Sequence, residues 1–199
     1  MLIILRLVVV SCAIFMLIAC SPDRVKENDA YRKDFKDIKI SAYRLKSWAF
    51  RGRLALKGKA DSWQANIVWK HSDVEEKIKL SGPLGQGATV IRLVNHEVFI
   101  DRGDGKVISS DSPEEFINQQ IGMFVPVESL TYWVLGMPEP SVSFIDTKNG
   151  FKQSEWLVEY EPFHWVGSYE VPVKITVTNP EIKLKLVIDH WDLGDARKE

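Results

Sequence analysis

From Trp48 to Ile100 apolar and polar residues alternate in short runs, and no other feature of this chain constrains its fold as strongly. Trp48, Phe50, Leu54 and Leu56 alternate with Arg51, Arg53 and Lys57, and Trp63, Ala65, Ile67 and Trp69 alternate with Gln64, Asn66 and Lys70. Ile78 and Leu80 alternate with Lys77 and Lys79, Ile91 and Leu93 flank Arg92, and Val98 and Ile100 follow. A period of two belongs to a strand, whose successive side chains point to opposite faces. Gly58, Asp61, Ser72-Asp73, Asn95 and Arg102-Gly103-Asp104-Gly105 punctuate the runs as hairpin turns. Six short strands, each apolar on one side, predict an antiparallel meander with one greasy face.

The period changes on either side of this stretch. Upstream, Tyr31, Phe35, Ile38, Ala42 and Leu45 recur at three- and four-residue spacings, the stripe of an amphipathic helix that Asn28 or Asp29 can cap. Downstream, Ser112-Pro113-Glu114-Glu115 reads as a capping box with Pro at the first helical position, and Gly122 ends that helix. Pro126 opens a second helix with Leu130, Trp133 and Val134 on its apolar face, and Gly136 stops it. Strand patterns resume at 141–147, 151–160, 171–178 and 182–191, with a turn near Glu161-Pro162. The chain therefore reads as ten or eleven strands around a small helical insert.

Residues 1–18 are almost wholly apolar, with Arg6 the one charge, and the run stops at Ala19-Cys20 before Ser21-Pro22-Asp23-Arg24. An apolar core ending at a small residue is the pattern of a secretory signal peptide. Leu17-Ile18-Ala19-Cys20 resembles the lipobox of bacterial lipoproteins, in which the Cys is lipidated and becomes the new N-terminus. The expected organisation is a cleaved leader at 1–19, lipidated Cys20 and a tether at 20–28, and one domain at 29–199. Ser21 in second place resembles the outer-membrane address of Gram-negative lipoproteins. Cys12 leaves with the leader, so the mature chain of 199 − 19 = 180 residues keeps Cys20 alone. It has no disulfide framework and no cysteine metal site.

The 26 Lys and Arg against 27 Asp and Glu exclude a nucleic-acid surface built on bulk charge. His71, His96, His164 and His190 stand at turns and strand ends without metal-ligand spacing. No nucleophile elbow, P-loop or dinucleotide fingerprint occurs. Asp101 to Gly105 lacks the further acidic positions of a calcium loop and is explained as a hairpin turn. Glu75-Glu76 and Glu114-Glu115 are adjacent, so neither pair can face one substrate atom. The expectation is no catalytic residue, no metal, no cofactor and no enzymatic activity.

Two segments carry more apolar surface than a turn or a cap requires. Gly82-Pro83-Leu84-Gly85-Gln86-Gly87 joins two strands with a longer connection than a tight hairpin needs. Leu84 either folds back onto the core or forms an exposed apolar tip, and its small neighbours favour a tip suited to a membrane or a hydrophobic partner. The second segment is the helical insert, where Phe116, Ile121, Met123, Phe124, Leu130, Trp133, Leu135 and Met137 crowd together. They cap the core or form a lid over an apolar cavity.

On these residues the chain resembles the LolB family of outer-membrane lipoprotein receptors, within the LolA/LolB-like lipoprotein-localisation group. The likeness rests on the lipobox, the helix leading into 48–52, the Gly82-Pro83-Leu84-Gly85 loop and, most specifically, the segment from Pro126 to Pro138. It closes with Pro172 and Ile182 to Lys185 before Trp191. A Gly before Pro83 and a charged tail beyond Leu193 depart from the pattern. The resemblance implies an unclosed antiparallel β-barrel of about eleven strands, capped by α-helices over an apolar cavity.

It also implies an outer-membrane, lipid-anchored protein facing the periplasm. Such a protein accepts acylated lipoprotein cargo from the periplasmic carrier LolA and releases it into outer-membrane phospholipid without nucleotide, acting as a monomer. The expected cavity and lid residues are Phe50, Leu54, Leu56, Trp63, Ile67, Trp69, Ile78, Leu80, Ile91, Leu93, Phe116, Leu130 and Trp133. Leu84, Pro83 and Gly85 form the membrane-insertion loop. An anchored structural or envelope-assembly lipoprotein with no acyl-binding cavity is the alternative.

Overall fold

The computed structural model describes residues 42–194, apart from 60, 84, 86 and 123 and the side chains of Gln120 and Ile121. Cys20, the tether and most of the N-terminal helix lie outside the described residues, as does Leu84. The six predicted strands form the meander: β1 (Ser47–Lys57), β2 (Ser62–Ser72), β3 (Glu76–Ser81), β4 (Thr89–Val94), β5 (Glu97–Asp101) and β6 (Val107–Ser110). Two helices follow, α1 (Pro113–Ile121) and α2 (Val127–Trp133). The chain ends in β7 (Phe144–Thr147), β8 (Gly150–Gln153), β9 (Trp156–Tyr160), β10 (Phe163–Val166), β11 (Tyr169–Pro172), β12 (Lys174–Thr178) and β13 (Lys183–Leu193).

Eleven of these strands form one antiparallel sheet in the order β6-β5-β4-β3-β2-β1-β13-β12-β9-β8-β7, while β10 and β11 form a separate hairpin. The two edge strands β6 and β7 are not paired with each other, so the sheet is an unclosed barrel. β6 and β7 are consecutive in the chain but stand at opposite edges, so the connection between them must cross a face of the sheet. That connection carries α1 and α2, whose Ile117, Val125, Val127, Leu130 and Val134 line a cavity together with inward-facing strand residues. Burying the apolar side of the facing strands β1–β4 and β13 under the helices removes both from water, which is the main term holding the two layers together.

Several boundaries differ from the sequence reading. The run 151–160 is two strands, because Ser154 turns the chain at φ 53° between β8 and β9. The run 171–178 is also two, β11 and β12, and β10 falls between the turn read near Glu161-Pro162 and that run. The capping box does not form. Ser112 stands at the N-cap without a side-chain bond to the helix, and its hydroxyl instead lies 3.5 Å from Asp111 Oδ1. Pro113 at the first helical position and Gly122 in the left-handed conformation at the C-cap are as expected.

The pairing of β1 with β13 joins the two ends of the domain and carries one irregularity, between Arg51 and Gly52. A Cβ at Gly52 would lie 2.2 Å from the Val187 carbonyl oxygen, so only glycine permits this strand approach.

Candidate functional site

The inner face of the sheet divides into two ends. At one, Trp48, Phe50, Trp69 and Trp191 pack ring against ring, with Phe50 and Trp191 centroids 5.1 Å apart and Trp48 and Trp69 5.6 Å apart. Trp191 Nε1 donates to the Pro172 carbonyl at 2.9 Å, and Trp69 Nε1 donates to Glu76 Oε2 at 2.6 Å. Glu76 also pairs with His71, whose ring stacks on Trp48 at 5.0 Å. These contacts fill that end of the barrel.

Toward the other end the inward side chains become smaller and leave a cavity of about 60 Å³. The strands contribute Leu54, Leu56, Trp63, Ile67, Trp69, Ile78, Leu80, Ile91, Leu184 and Leu186 to its wall. Ile117 comes from α1, Val125 from the turn after it, and Val127, Leu130 and Val134 from α2 and its C-cap. Every lining residue is apolar, so the cavity offers no hydrogen bond and suits hydrocarbon rather than water.

A wider groove of about 540 Å³ adjoins it, lined by Ala65, Ser81, Gly82, Gly87, Thr89, Ile100 and Arg102. Trp63, Leu80, Ile91 and Ile117 belong to both walls and so stand between cavity and groove. The groove reaches the Gly82–Gly87 connection, whose base is held by Asn66: Asn66 Nδ2 donates to the Gly82 carbonyl at 3.1 Å. Within that connection Gly85 N donates to Gly82 O at 2.8 Å, and Pro83 and Gly85 are exposed. Gly85 and Gly87 have φ of 77° and 63° with open space where a Cβ would stand, so both are glycine by conformation rather than crowding.

Of the residues expected at the site, Leu54, Leu56, Trp63, Ile67, Trp69, Ile78, Leu80, Ile91 and Leu130 line this cavity, whereas Phe50, Leu93, Phe116 and Trp133 do not. Phe50 is covered by the aromatic cluster. Leu93 stands opposite Glu76 and Val98, one row beyond Ile91 in the direction of the filled end. Phe116 packs on the core beside Ile117 without reaching the cavity. Trp133 sits about 90° round the helix from the stripe made by Val127, Leu130 and Val134. It turns toward β8, where its Nε1 donates to Gln153 Oε1 at 2.8 Å.

Sequence reasoning missed Leu184, Leu186, Ile117, Val125, Val127 and Val134 as lining residues. The signal was present for two groups of them. Leu184 and Leu186 alternate with Lys183 and Lys185, and Val127 completes an i, i+3, i+7 stripe with Leu130 and Val134.

Gln153 is the polar counterpart of this apolar wall. It is 1% exposed and uses its whole amide: Oε1 accepts from Trp133 Nε1 and from Glu139 N at 2.9 Å, and Nε2 donates to Glu139 O at 2.9 Å and Val142 O at 2.8 Å. Tyr160 adds a bond from its hydroxyl to the Trp133 carbonyl at 2.8 Å. Burial first, and the Tyr43 phenol second, hold the Tyr160 hydroxyl well above its ordinary pKa. The C-terminal end of α2 is thereby fixed to the sheet. Glu114, near the start of α1, is pushed up from its ordinary pKa by burial and then by Glu128. Among the described residues no cluster of His, Cys, Asp and Glu could hold a metal ion.

Comparison with known proteins gives a consistent picture. A family model described as "Outer membrane lipoprotein LolB" matches residues 46–191. The outer-membrane lipoprotein LolB of Nitrosococcus oceani is 27% identical over 197 residues, covering 95% of this chain and 98% of that protein. The outer-membrane lipoprotein LolB of Pseudomonas fluorescens is 29% identical over 153 residues, covering 74% of this chain and 75% of that protein. Among solved structures, a LolA superfamily protein from Nitrosomonas europaea superposes with a TM-score of 0.51 at 9% identity, covering 79% of this chain and 92% of that one. That likeness is one of fold.

Proposed function

The chain belongs to the outer membrane lipoprotein LolB family, and on that premise we propose that it receives acylated lipoproteins from the periplasmic carrier LolA and passes them to outer-membrane phospholipid. The family places it in lipoprotein localisation at the outer membrane. The finer reading is our own: Cys20 anchors the chain after removal of 1–19, the domain from 29 onward takes the acyl chains, and no residue performs covalent chemistry.

The observation that carries this reading is the wholly apolar cavity between the sheet and the two helices. Acyl chains are costly to expose, at about 0.8 kcal/mol per CH₂, so they must move between apolar sites without meeting bulk water. A difference of about 1.4 kcal/mol between donor and acceptor biases such a transfer tenfold, so no nucleotide is required. At about 60 Å³ the cavity is far smaller than a site for a long acyl chain, since ligand pockets run to roughly 300–1,000 Å³. In the proposed cycle this is the empty, closed state. Loading moves α1 and the 122–126 turn away from the sheet, while Gln153 and Tyr160 keep the far end of α2 in place. The cargo enters past Trp63, Leu80, Ile91 and Ile117 from the groove beside the Gly82–Gly87 connection, and Leu84 leads delivery into the leaflet.

The test is a two-stage transfer with the full-length protein: from loaded carrier to receptor, then from receptor to liposomes. Acquisition of cargo followed by its appearance in the liposomes is the expected result. Failure to take cargo from the carrier at any ratio would sink the proposal in favour of a structural lipoprotein.

A further inference from the structure

The sheet has a second face, turned away from the cavity, and its charges are sorted. Across β2, β3 and β4, Lys70 stands directly opposite Lys77, and Lys77 directly opposite Arg92. One row along, Lys79 stands opposite Val68, which in turn is opposite Arg51 on β1. All five cations are exposed. Arg92 is offset by Glu75 at 2.8 Å and lies over the Phe99 ring at 5.7 Å. Arg51, Lys70, Lys77 and Lys79 have no carboxylate within ion-pair distance among the described residues. Asp192 lies opposite Ala49 at the end of the first row, and Asp101 opposite Val90 at the end of the second.

Directly opposed like charges weaken a sheet. The chain carries a net charge of −1, so this row is not a consequence of a basic composition. The fold gains nothing from placing lysine against lysine, so the arrangement points to an anion outside the molecule. Its composition says which kind. Protein interfaces are enriched in aromatics and depleted in Lys, whereas this face is Lys-rich and its nearest ring, Phe99, already lies beneath Arg92. Arg51 and Lys70 flank an open groove of about 220 Å³ with His190 and Asp192, while Lys77, Lys79 and Arg92 spread beyond it. Such a dispersed set of exposed cations matches an anionic lipid surface, which attracts basic groups one by one.

We propose that this outer face of β1–β4 is a contact surface for anionic phospholipid headgroups, which lays the domain against the leaflet that receives its cargo. The inference rests on the outer-membrane location of the family for the presence of that leaflet, and it goes beyond cargo transfer. β3 carries Lys77 and Lys79 and runs straight into the Gly82–Gly87 connection, so a face resting on headgroups brings that connection to the same surface. Lys79 and Gly82 are three residues apart, about 10 Å of extended chain.

The experiment uses the full-length lipidated protein in vesicles of neutral phosphatidylcholine, or of phosphatidylcholine with about 30% phosphatidylglycerol. Attachment through the lipid is then equal in both. Lysine acetylation by a soluble reagent is read residue by residue by mass spectrometry. Lys152 on β8 is the internal reference, five strand positions from β2 and so about 24 Å away across the sheet, beyond the Debye length. We expect Lys70, Lys77 and Lys79 to react at least about threefold more slowly on the anionic vesicles, with Lys152 unchanged and the protection lost near 0.5 M salt. The variant K70Q/K77Q, which alters exposed side chains alone, should abolish the salt-sensitive protection of Lys79, two residues along β3 from Lys77. Equal reactivity on the two vesicles overturns the proposal. So does protection that arises only when the soluble carrier is added, which would make the face a protein-docking surface. No cargo is present, so either failure leaves the transfer reading untouched.

Discussion

The indole of Trp133 donates a 2.8 Å hydrogen bond to the amide oxygen of Gln153, joining the end of α2 to strand β8 inside the core. The same amide serves Glu139 and Val142, so one side chain satisfies one buried and three part-buried polar groups. Gln153→Leu keeps the approximate volume and strands all four. A buried group left without its partner costs about 1–3 kcal/mol and a part-buried one less, so a total loss of about 2–3 kcal/mol is expected in urea unfolding. A loss below about 1 kcal/mol would show that the helix end is held by packing alone.

Tyr160 gives a pH dependence with a definite sign. Its hydroxyl donates to the Trp133 carbonyl, and burial raises its pKa well above the ordinary value of 10.0. The folded state therefore holds the phenol proton more tightly than the unfolded chain does. That contribution is fully present below pH 10.0 and is lost as pH rises above it toward the folded-state value. Stability measured between neutral and strongly alkaline pH should fall, and Tyr160→Phe should flatten part of that fall while costing about 1 kcal/mol at neutral pH. An unchanged alkaline slope in Tyr160→Phe would count against the assignment.

The Gly52 site tests the sheet itself. A methyl group there meets the Val187 carbonyl at 2.2 Å, and that carbonyl belongs to backbone that cannot swing away. Gly52→Ala should destabilise the domain by about 2 kcal/mol or more, within or above the usual range for overpacking. Thermal unfolding that stayed at the wild-type temperature would mean that β1 and β13 can separate locally.

How much of this was legible in the sequence follows from the range of the interactions. The meander was, because each of its strands repeats with a period of two and ends at a turn residue such as Asn95 or Gly103. Pro113 and Gly122 marked α1 through purely local backbone preferences. The split at Ser154 was not, because a serine at φ 53° carries no signature that separates it from a strand residue. Phe50 and Trp133 misled because period says which side chains turn inward, while the distant partner decides whether they fill space or line it. For Phe50 that partner is Trp191, and for Trp133 it is Gln153. Neither proximity can be read from spacing.

The last prediction concerns Leu186, a wall residue supplied by β13. Leu186 faces the cavity from the strand paired with β1, opposite Leu54 and across from the lid residues Leu130 and Val134. Leu186→Trp adds ring atoms whose volume is of the same order as the cavity of about 60 Å³. The void can take the added ring, so the stability change should stay below about 1.5 kcal/mol, as for tolerated hydrophobic exchanges. If the cavity is the seed of the acyl site, the same ring removes room for about two methylene groups, each worth about 0.8 kcal/mol. Binding of a fluorescent acyl probe to the full-length protein should then weaken about tenfold. Leu157 on β9, half-buried and absent from the cavity wall, is the control: Leu157→Trp should leave probe affinity unchanged. Probe affinity that survives Leu186→Trp in a stably folded protein would place the acyl chain elsewhere on the molecule. A loss of several kcal/mol in stability would instead show that the space around Leu186 cannot accept a ring, and the smaller Leu186→Phe would then be used to read the same affinity change.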